Sequence, residues 1–272
     1  MNNLGSSESH NFKKFLGQHF LRDHKTILEI INLIRPRSED LILEIGAGDG
    51  ALTKPLSQAG ARIIAVEIDK ELTEALTLEF NKTNNVAIVN QDILNFDFLE
   101  LEKKKEKWKI VGNLPYNIAA QLILKILHHP DLFSLMTVMV QKEVGDRLIA
   151  NPGNKSYGRL SVMAQRSASL KRCLDIPPEK FFPIPKVWSS IIQIRPHAPS
   201  EHGNFESSFQ NTVRTAFSQR RKTLANSLKY LLTSLEIKAA GIDPLVRAER
   251  LSVEEFEALA KVVEDKKMRT NS

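Results

Sequence analysis

The 272-residue chain is 42% hydrophobic and 26% charged, the balance of a globular protein that can bury a real core. No apolar run approaches the roughly 20 residues that cross a bilayer, the opening "MNNLGSSESHNFKKFLGQHFL" has no signal-peptide segment, and the single cysteine, Cys173, leaves no internal disulfide framework. A net charge of +6 and a pI near 9.3 permit nucleic-acid binding without requiring it, and the histidines show no metal-ligand spacing, so no metal is expected.

In chain order, "TILEIINLI" places Ile27, Ile30, Ile31 and Ile34 on one face of an amphipathic helix. Five short apolar runs follow: "LILEIG" (41–46), "RIIAVEID" (62–69), "VAIVNQD" (86–92), "KIVGNL" (109–114) and "LMTVMVQ" (135–141). Their length and β-branched content suit buried parallel strands. "QLILKILHH" is a second amphipathic helix after the fourth run, and the Lys/Glu run "ELEKKKEKWK" (100–109) reads as a solvated face. Strand and helix alternate, so the expected fold is α/β, a doubly wound, mostly parallel sheet. "LSVMAQ" and "SSIIQIRP" extend that sheet as a hairpin-like edge. After Arg195, "PHAPSEHGN" reads as a linker. Beyond it only helical patterns remain, in "FESSFQNTVRTAFSQRRKTLANSLKYLL" and "SVEEFEALAKVVED". Two domains are expected, 1–198 with the sheet and 199–272 all helical.

"LEIGAGDGAL" sets Gly46, Gly48 and Gly50 directly after the first strand, where a ligand can approach the backbone closely. The spacing is G-x-G-x-G, not the G-x-G-x-x-G of a nicotinamide dinucleotide site. Glu44 and Asp49 beside it would repel a pyrophosphate and suit a cationic or neutral ligand. Glu67 ends the second strand, where an acid accepts from a ribose diol. Asp92 ends the third, where a carboxylate can accept from an adenine amine, or merely cap a helix. Together these strand ends point to a bound adenosine moiety. S-adenosylmethionine fits best, because it lacks phosphate and carries a sulfonium.

The fourth strand ends in Asn113-Leu114-Pro115-Tyr116. The amine of a flat base is a poor nucleophile, since its lone pair is delocalised into the ring. Asn113 can accept one of its N–H bonds, a carbonyl held by Pro115 can accept the other, and Tyr116 can stack on the base. Positioning and electrostatics then carry the catalysis without a strong base. "EKFFPIPKVWSS" adds Phe181 and Phe182, rings able to cover the base's other face.

These segments, with "KKFLGQHFL" (13–21), "VEID" (66–69), "VQKEVGDRLIANPGNKSYGRLSV" (140–162), "FFPIPKVWSS" (181–190) and "AFSQRRKTLANSL" (216–228), resemble the bacterial small-subunit (16S) rRNA adenine dimethyltransferase family over most of the chain. The resemblance implies a Rossmann-like class I methyltransferase domain, S-adenosylmethionine as cofactor, and two methyl transfers to each of two adjacent adenosines near the 3′ end of 16S rRNA in a pre-mature small subunit. By motif position it implies cofactor contacts at His19, Leu21, Gly46, Glu67, Asp92 and Asn113. It gives Leu114 and Pro115 backbone roles at the target, stacking to Tyr116, and closure of the base's other face to Phe181. The family's usual "GQNFL" carries Asn where this chain has His19, although a neutral imidazole still donates one hydrogen bond. Arg220, Arg221 and Lys222 on a helix of the second domain, with Arg147, Lys155 and Arg159, are candidate phosphate contacts. A cytoplasmic monomer acting away from membranes is expected. The competing readings are an erythromycin-resistance-type 23S rRNA methyltransferase, a non-catalytic ribosome-assembly factor and a nicotinamide-dependent oxidoreductase.

Overall fold

A computed structural model describes residues 18–102, 106–198 and 203–271. Part of "KKFLGQHFL", the middle of the Lys/Glu run and the centre of the expected linker lie outside these residues. The described chain begins with β1 (Phe20–Leu21) and α1 (His24–Ile34), in which Ile30 and Ile34 are buried. Asp23 starts the helix, accepting from the Thr26 N–H at 2.9 Å as an N-cap should. Four units of the doubly wound pattern follow: β2 (Leu41–Ile45) with α2 (Thr53–Gln58), β3 (Arg62–Glu67) with α3 (Lys70–Glu79), β4 (Val86–Asn90) with α4 (Leu99–Glu102), and β5 (Trp108–Asn113) with α5 (Ala119–Leu127). Then come β6 (Phe133–Gln141), α6 (Lys142–Leu148), α7 (Arg159–Ser167), β7 (Ala168–Ile176), β8 (Phe181–Phe182) and β9 (Ser189–Pro196).

The main sheet has seven strands in the order β4-β3-β2-β5-β6-β9-β7. Its first five strands are parallel, while β9 runs antiparallel to both β6 and β7. Winding reverses between β2 and β5, so the crevice at their carboxyl ends is where a ligand is expected. Alternate side chains feed two cores, as period-two strands covered on both faces must. Leu41, Leu43, Ile45 and Ile110 join Trp108 and α5 on one face. Ile42 and Val111 join α1 and α2 on the other.

The five parallel strands match the runs expected. The edge hairpin does not. "SSIIQIRP" is β9, but "LSVMAQ" lies within helix α7, and β9's partner is β7, "ASLKRCLDI". Helix α7 is buried from Leu160 to Ala164, with Leu160 and Ala164 in the sheet's core and Val162 and Met163 in a third core.

The chain finishes with α8 (Gly203–Ser218), α9 (Leu224–Ser227), α10 (Ser234–Ala239) and α11 (Val253–Asn271), with no strand among the described residues beyond Pro196. Their apolar faces meet Tyr157, Val162 and Met163 in that third core. Arg166 of α7 joins the junction, pairing with Glu206 of α8 and with Glu257 of α11 at 2.9 Å. Its guanidinium also lies 4.1 Å from the Phe209 ring centroid.

Candidate active site

A cavity of about 210 Å³ opens at the carboxyl ends of β2, β3 and β5. Its walls include His19, Gly46, Glu67, Asp92, Asn113, Leu114, Pro115 and Tyr116, so eight of the residues expected from the sequence converge on it. Gln18, Phe20, Ile68, Leu72 and Ile93 also line it. Gln18 and Phe20 belong to the same "GQHFL" tract, and Ile68 follows Glu67 directly. Their neighbours' roles were the available signal.

Leu21 and Phe181 are not among the described residues lining the cavity. They face one another across the antiparallel β1–β8 pair, and directly paired residues share a face. Both side chains are buried in the core with Met139 and Ile191. The alternate pair, Phe20 and Phe182, points the other way, placing Phe20 in the cavity wall and leaving Phe182 exposed.

Two close approaches assemble the site. Gly112 pairs with Ile45 in the sheet, and a Cβ on Gly112 would come within 2.2 Å of the Ile45 carbonyl oxygen. Gly46 has φ +70°, and a Cβ there would meet the Asn113 carbonyl at 3.2 Å. Glycine at both places lets the loop after β2 lie against the end of β5. Gly112→Ala is expected to cost at least about 3 kcal/mol, because backbone, not a movable side chain, stands in the way. Urea denaturation checks this, and a midpoint within error of wild type would contradict it.

Glu67 is buried and organises the loop. One carboxylate oxygen accepts from the Gly48 N–H at 2.9 Å, and the other accepts from the Asp69 N–H at 2.9 Å. Burial holds its pKa above the ordinary carboxylate value, and these two hydrogen bonds oppose that rise without cancelling it. Each oxygen keeps a further lone pair for a ligand hydroxyl. Asp92 does cap a helical turn, through Oδ1 and the Leu94 N–H at 2.9 Å, and still lines the cavity. Capping and ligand contact are compatible here, since a carboxylate has two oxygens.

Glu44 and Asp49 are not among the described residues lining the cavity. Asp49 pairs with Arg22 at 2.6 Å. Glu44 accepts from the Thr53 hydroxyl at 2.7 Å, and burial, assisted by the charges of Glu67 and Asp49, pushes its pKa up to about 8. The folded chain therefore holds a proton that the unfolded chain releases near the ordinary value of 4.5. Stability from this group is full below about pH 4.5 and lost as pH rises through about 8. Glu44→Gln keeps an acceptor for Thr53 and removes the titration. At pH 8 it is expected to be more stable than wild type by roughly 2 kcal/mol, with a flatter profile between pH 5 and 8. Thermal melts across that range decide it, and parallel profiles would contradict it.

At the end of β5, the Asn113 side-chain nitrogen donates to the His19 carbonyl at 2.8 Å. Its oxygen is the atom left for the cavity. The His19 imidazole donates from Nδ1 to the Pro183 carbonyl at 2.7 Å and stacks on Tyr116, ring centroids 5.7 Å apart and planes at 26°. That gap is too narrow for a base, which needs roughly 7 Å between two rings, so a base stacking on Tyr116 would take the face away from His19. The Tyr116 hydroxyl is hydrogen-bonded to Ser189 Oγ at 2.7 Å. Burial raises the phenol's pKa, so Tyr116 stays neutral and is no general base at physiological pH.

Among the described residues lining the cavity, none is Lys or Arg, while Glu67 and Asp92 are both acidic. A pyrophosphate finds no counter-charge here. The cavity instead offers the carboxylates of Glu67 and Asp92, the backbone at Gly46 and apolar walls at Ile68, Leu72 and Ile93, a lining compatible with a neutral or cationic ligand. Fold and site together define the class: an S-adenosylmethionine-dependent methyltransferase of the doubly wound α/β type.

A family model described as Ribosomal RNA adenine dimethylase matches residues 9–265. The chain belongs to that family. It is 40% identical over 264 residues to a protein of Hahella chejuensis named Ribosomal RNA small subunit methyltransferase A, covering 97% of each chain. It is 42% identical over 262 residues to the protein of that name from Nitrosococcus oceani, covering 96% of this chain and 98% of that one. Among solved structures it resembles a dimethyladenosine transferase from Plasmodium falciparum, with TM-score 0.77 and 25% identity over 91% of this chain and 98% of the other. The 23S rRNA methyltransferase ErmE is also similar, with TM-score 0.70 and 25% identity over 90% and 99%.

Proposed function

We propose that the chain transfers methyl groups from S-adenosylmethionine to the N6 amines of two adjacent adenosines near the 3′ end of 16S rRNA, giving N6,N6-dimethyladenosines, in a pre-mature small subunit. The observation that carries this reading is the hydrogen bond from the Asn113 side-chain nitrogen to the His19 carbonyl. It commits the amide's donor to the protein and presents its oxygen as an acceptor for an amine. The Leu114 carbonyl, with its direction restricted by Pro115, is the second acceptor, and the face of Tyr116 away from His19 receives the base. The bound cofactor supplies an electrophilic methyl group. Asn113 and Leu114 hold the amine so that its lone pair turns out of the ring, and the proton leaves after transfer, so no strong base is required.

Residues 1–198 form the methyltransferase domain and 199–272 the helical domain, which contacts RNA. Arg220, Arg221 and Lys222 lie in the turn after α8, not on a helix. Arg220 is engaged with the Lys155 and Tyr157 carbonyls and with Glu249, tying the 151–158 loop to the helical domain. Exposed Arg221, Lys222, Arg147, Lys155 and Arg159 remain the phosphate contacts. None of the helices in the described residues is long and apolar enough to cross a membrane. A monomer in the cytoplasm is the proposed working form.

The likeness to ErmE supports a second reading, methylation of large-subunit RNA. Offering purified small and large subunits separately, each from cells lacking the enzyme, distinguishes the two. Labelling of the small subunit alone is expected, and labelling of the large subunit alone would overturn the proposal.

A further inference from the structure

Between β8 and β9 the chain carries an apolar lip that the chemistry above does not use. Phe182, Ile184, Val187 and Trp188 are 53%, 64%, 41% and 48% exposed. Residues 182–188 include one cation, exposed Lys186, and no acid. Apolar exposure this concentrated marks an interaction site. The segment is fastened to the cavity at both ends. The Pro183 carbonyl accepts from His19, at 2.7 Å. Ser189 holds the Tyr116 hydroxyl, at 2.7 Å, and the Trp188 carbonyl accepts from the Lys142 N–H, at 2.8 Å. Pro183 and Pro185 restrict the backbone between these anchors, so the side chains are held outward at little conformational cost.

We infer that residues 182–188 form a nucleobase-stacking lip that takes the nucleotides beside the adenine drawn into the cavity. The inference rests on the reading that an RNA adenine enters that cavity. A base that reaches Asn113 has left its stack and deprived its neighbours of a stacking partner. Exposed aromatic faces beside a cation are what single-stranded nucleic acid binds, the rings taking bases and the cation a phosphate. The hydrogen bond between Tyr116, in the cavity wall, and Ser189, the residue directly after the lip, joins the two.

Trp188 makes the lip directly testable, because the chain has two tryptophans and the other, Trp108, is 2% exposed. Titration of the full chain with a short single-stranded RNA carrying two adjacent adenines is expected to quench tryptophan emission. Trp188→Phe should abolish the quench. In methyl transfer to small subunits, Trp188→Ala and Phe182→Ala should each raise KM about tenfold, with kcat and cofactor affinity changed less than about twofold. The lip is overturned if RNA leaves the emission unchanged, whatever happens to KM. It is equally overturned by a quench whose loss in Trp188→Phe leaves the Trp188→Ala KM at the wild-type value, or by a quench that the cofactor alone produces and RNA does not. The quench needs no turnover. A wild-type chain that methylates no subunit yet shows the Trp188 quench keeps the lip and sinks the reaction; methylation without the quench does the reverse.

Discussion

Asn113→Ala is expected to lower kcat for methyl transfer about 10²- to 10³-fold, the scale of losing one preorganised acceptor in an electrostatic site. The variant keeps its fold. It gives up one side-chain hydrogen bond, to the His19 carbonyl at 2.8 Å, which is worth about 1 kcal/mol. Cofactor affinity should fall by much less than kcat, because the proposed role of the side-chain oxygen is toward the target amine. Asn113→Asp is a sharper companion. It keeps an acceptor but cannot donate to His19, so two oxygens face each other there and its turnover should also fall well below wild type. Single-turnover transfer with cofactor saturating checks both, and a rate for Asn113→Ala within a few fold of wild type would contradict the mechanism.

Glu67→Ala acts on the other half of the site. It removes the proposed ribose acceptor and also releases the Gly48 and Asp69 N–H groups, which the carboxylate accepts at 2.9 Å each. The glycine loop loses its brace as well as a ligand contact. Cofactor Kd is therefore expected to rise about 100-fold, a little under 3 kcal/mol, in line with losing hydrogen bonds to a charged group. At saturating cofactor, kcat should recover to within about tenfold, since the target side is untouched. Glu67→Gln should fall between the two, because one amide oxygen can still accept. Isothermal titration of the cofactor decides it, and an unchanged Kd for Glu67→Ala would remove Glu67 from the binding role.

Much of this arrangement is legible in the sequence, for physical reasons. Strands β2, β3, β5 and β6 are largely buried and so appear as continuous apolar runs, and even the edge strand β4, only partly buried, keeps its β-branched residues. Glu67, Asp92 and Asn113 could be picked out because they end such runs, where this sheet type places its ligand. Helix α7 differs from the strand expected there because the six residues "LSVMAQ", taken without Arg159, Arg166 and Ser167 on either side, are too short to separate a two-residue from a 3.6-residue period. Strand β7 escaped because it is a sheet edge carrying Lys171, Arg172 and Asp175, with a register shift between Arg172 and Leu174. Leu21 and Phe181 enter through the motif positions of the family resemblance alone, since a two-residue ladder has no pattern from which to read which member faces inward. The constraint at Gly112 depends on Ile45, 67 positions away in sequence, and nothing local announces it. The turn at Arg220 was hidden inside a run with good helical propensity, and the partners that commit its guanidinium come from two distant segments.

The most direct test of the central claim is nucleoside analysis by mass spectrometry of small subunits from cells lacking the enzyme, treated with the pure chain and S-adenosylmethionine. The account predicts N6,N6-dimethyladenosine at two adjacent positions near the 3′ end of 16S rRNA, absent when Asn113→Ala replaces the wild type for the same time. No dimethyladenosine in the small subunit, or equal yields from the two proteins, would contradict it.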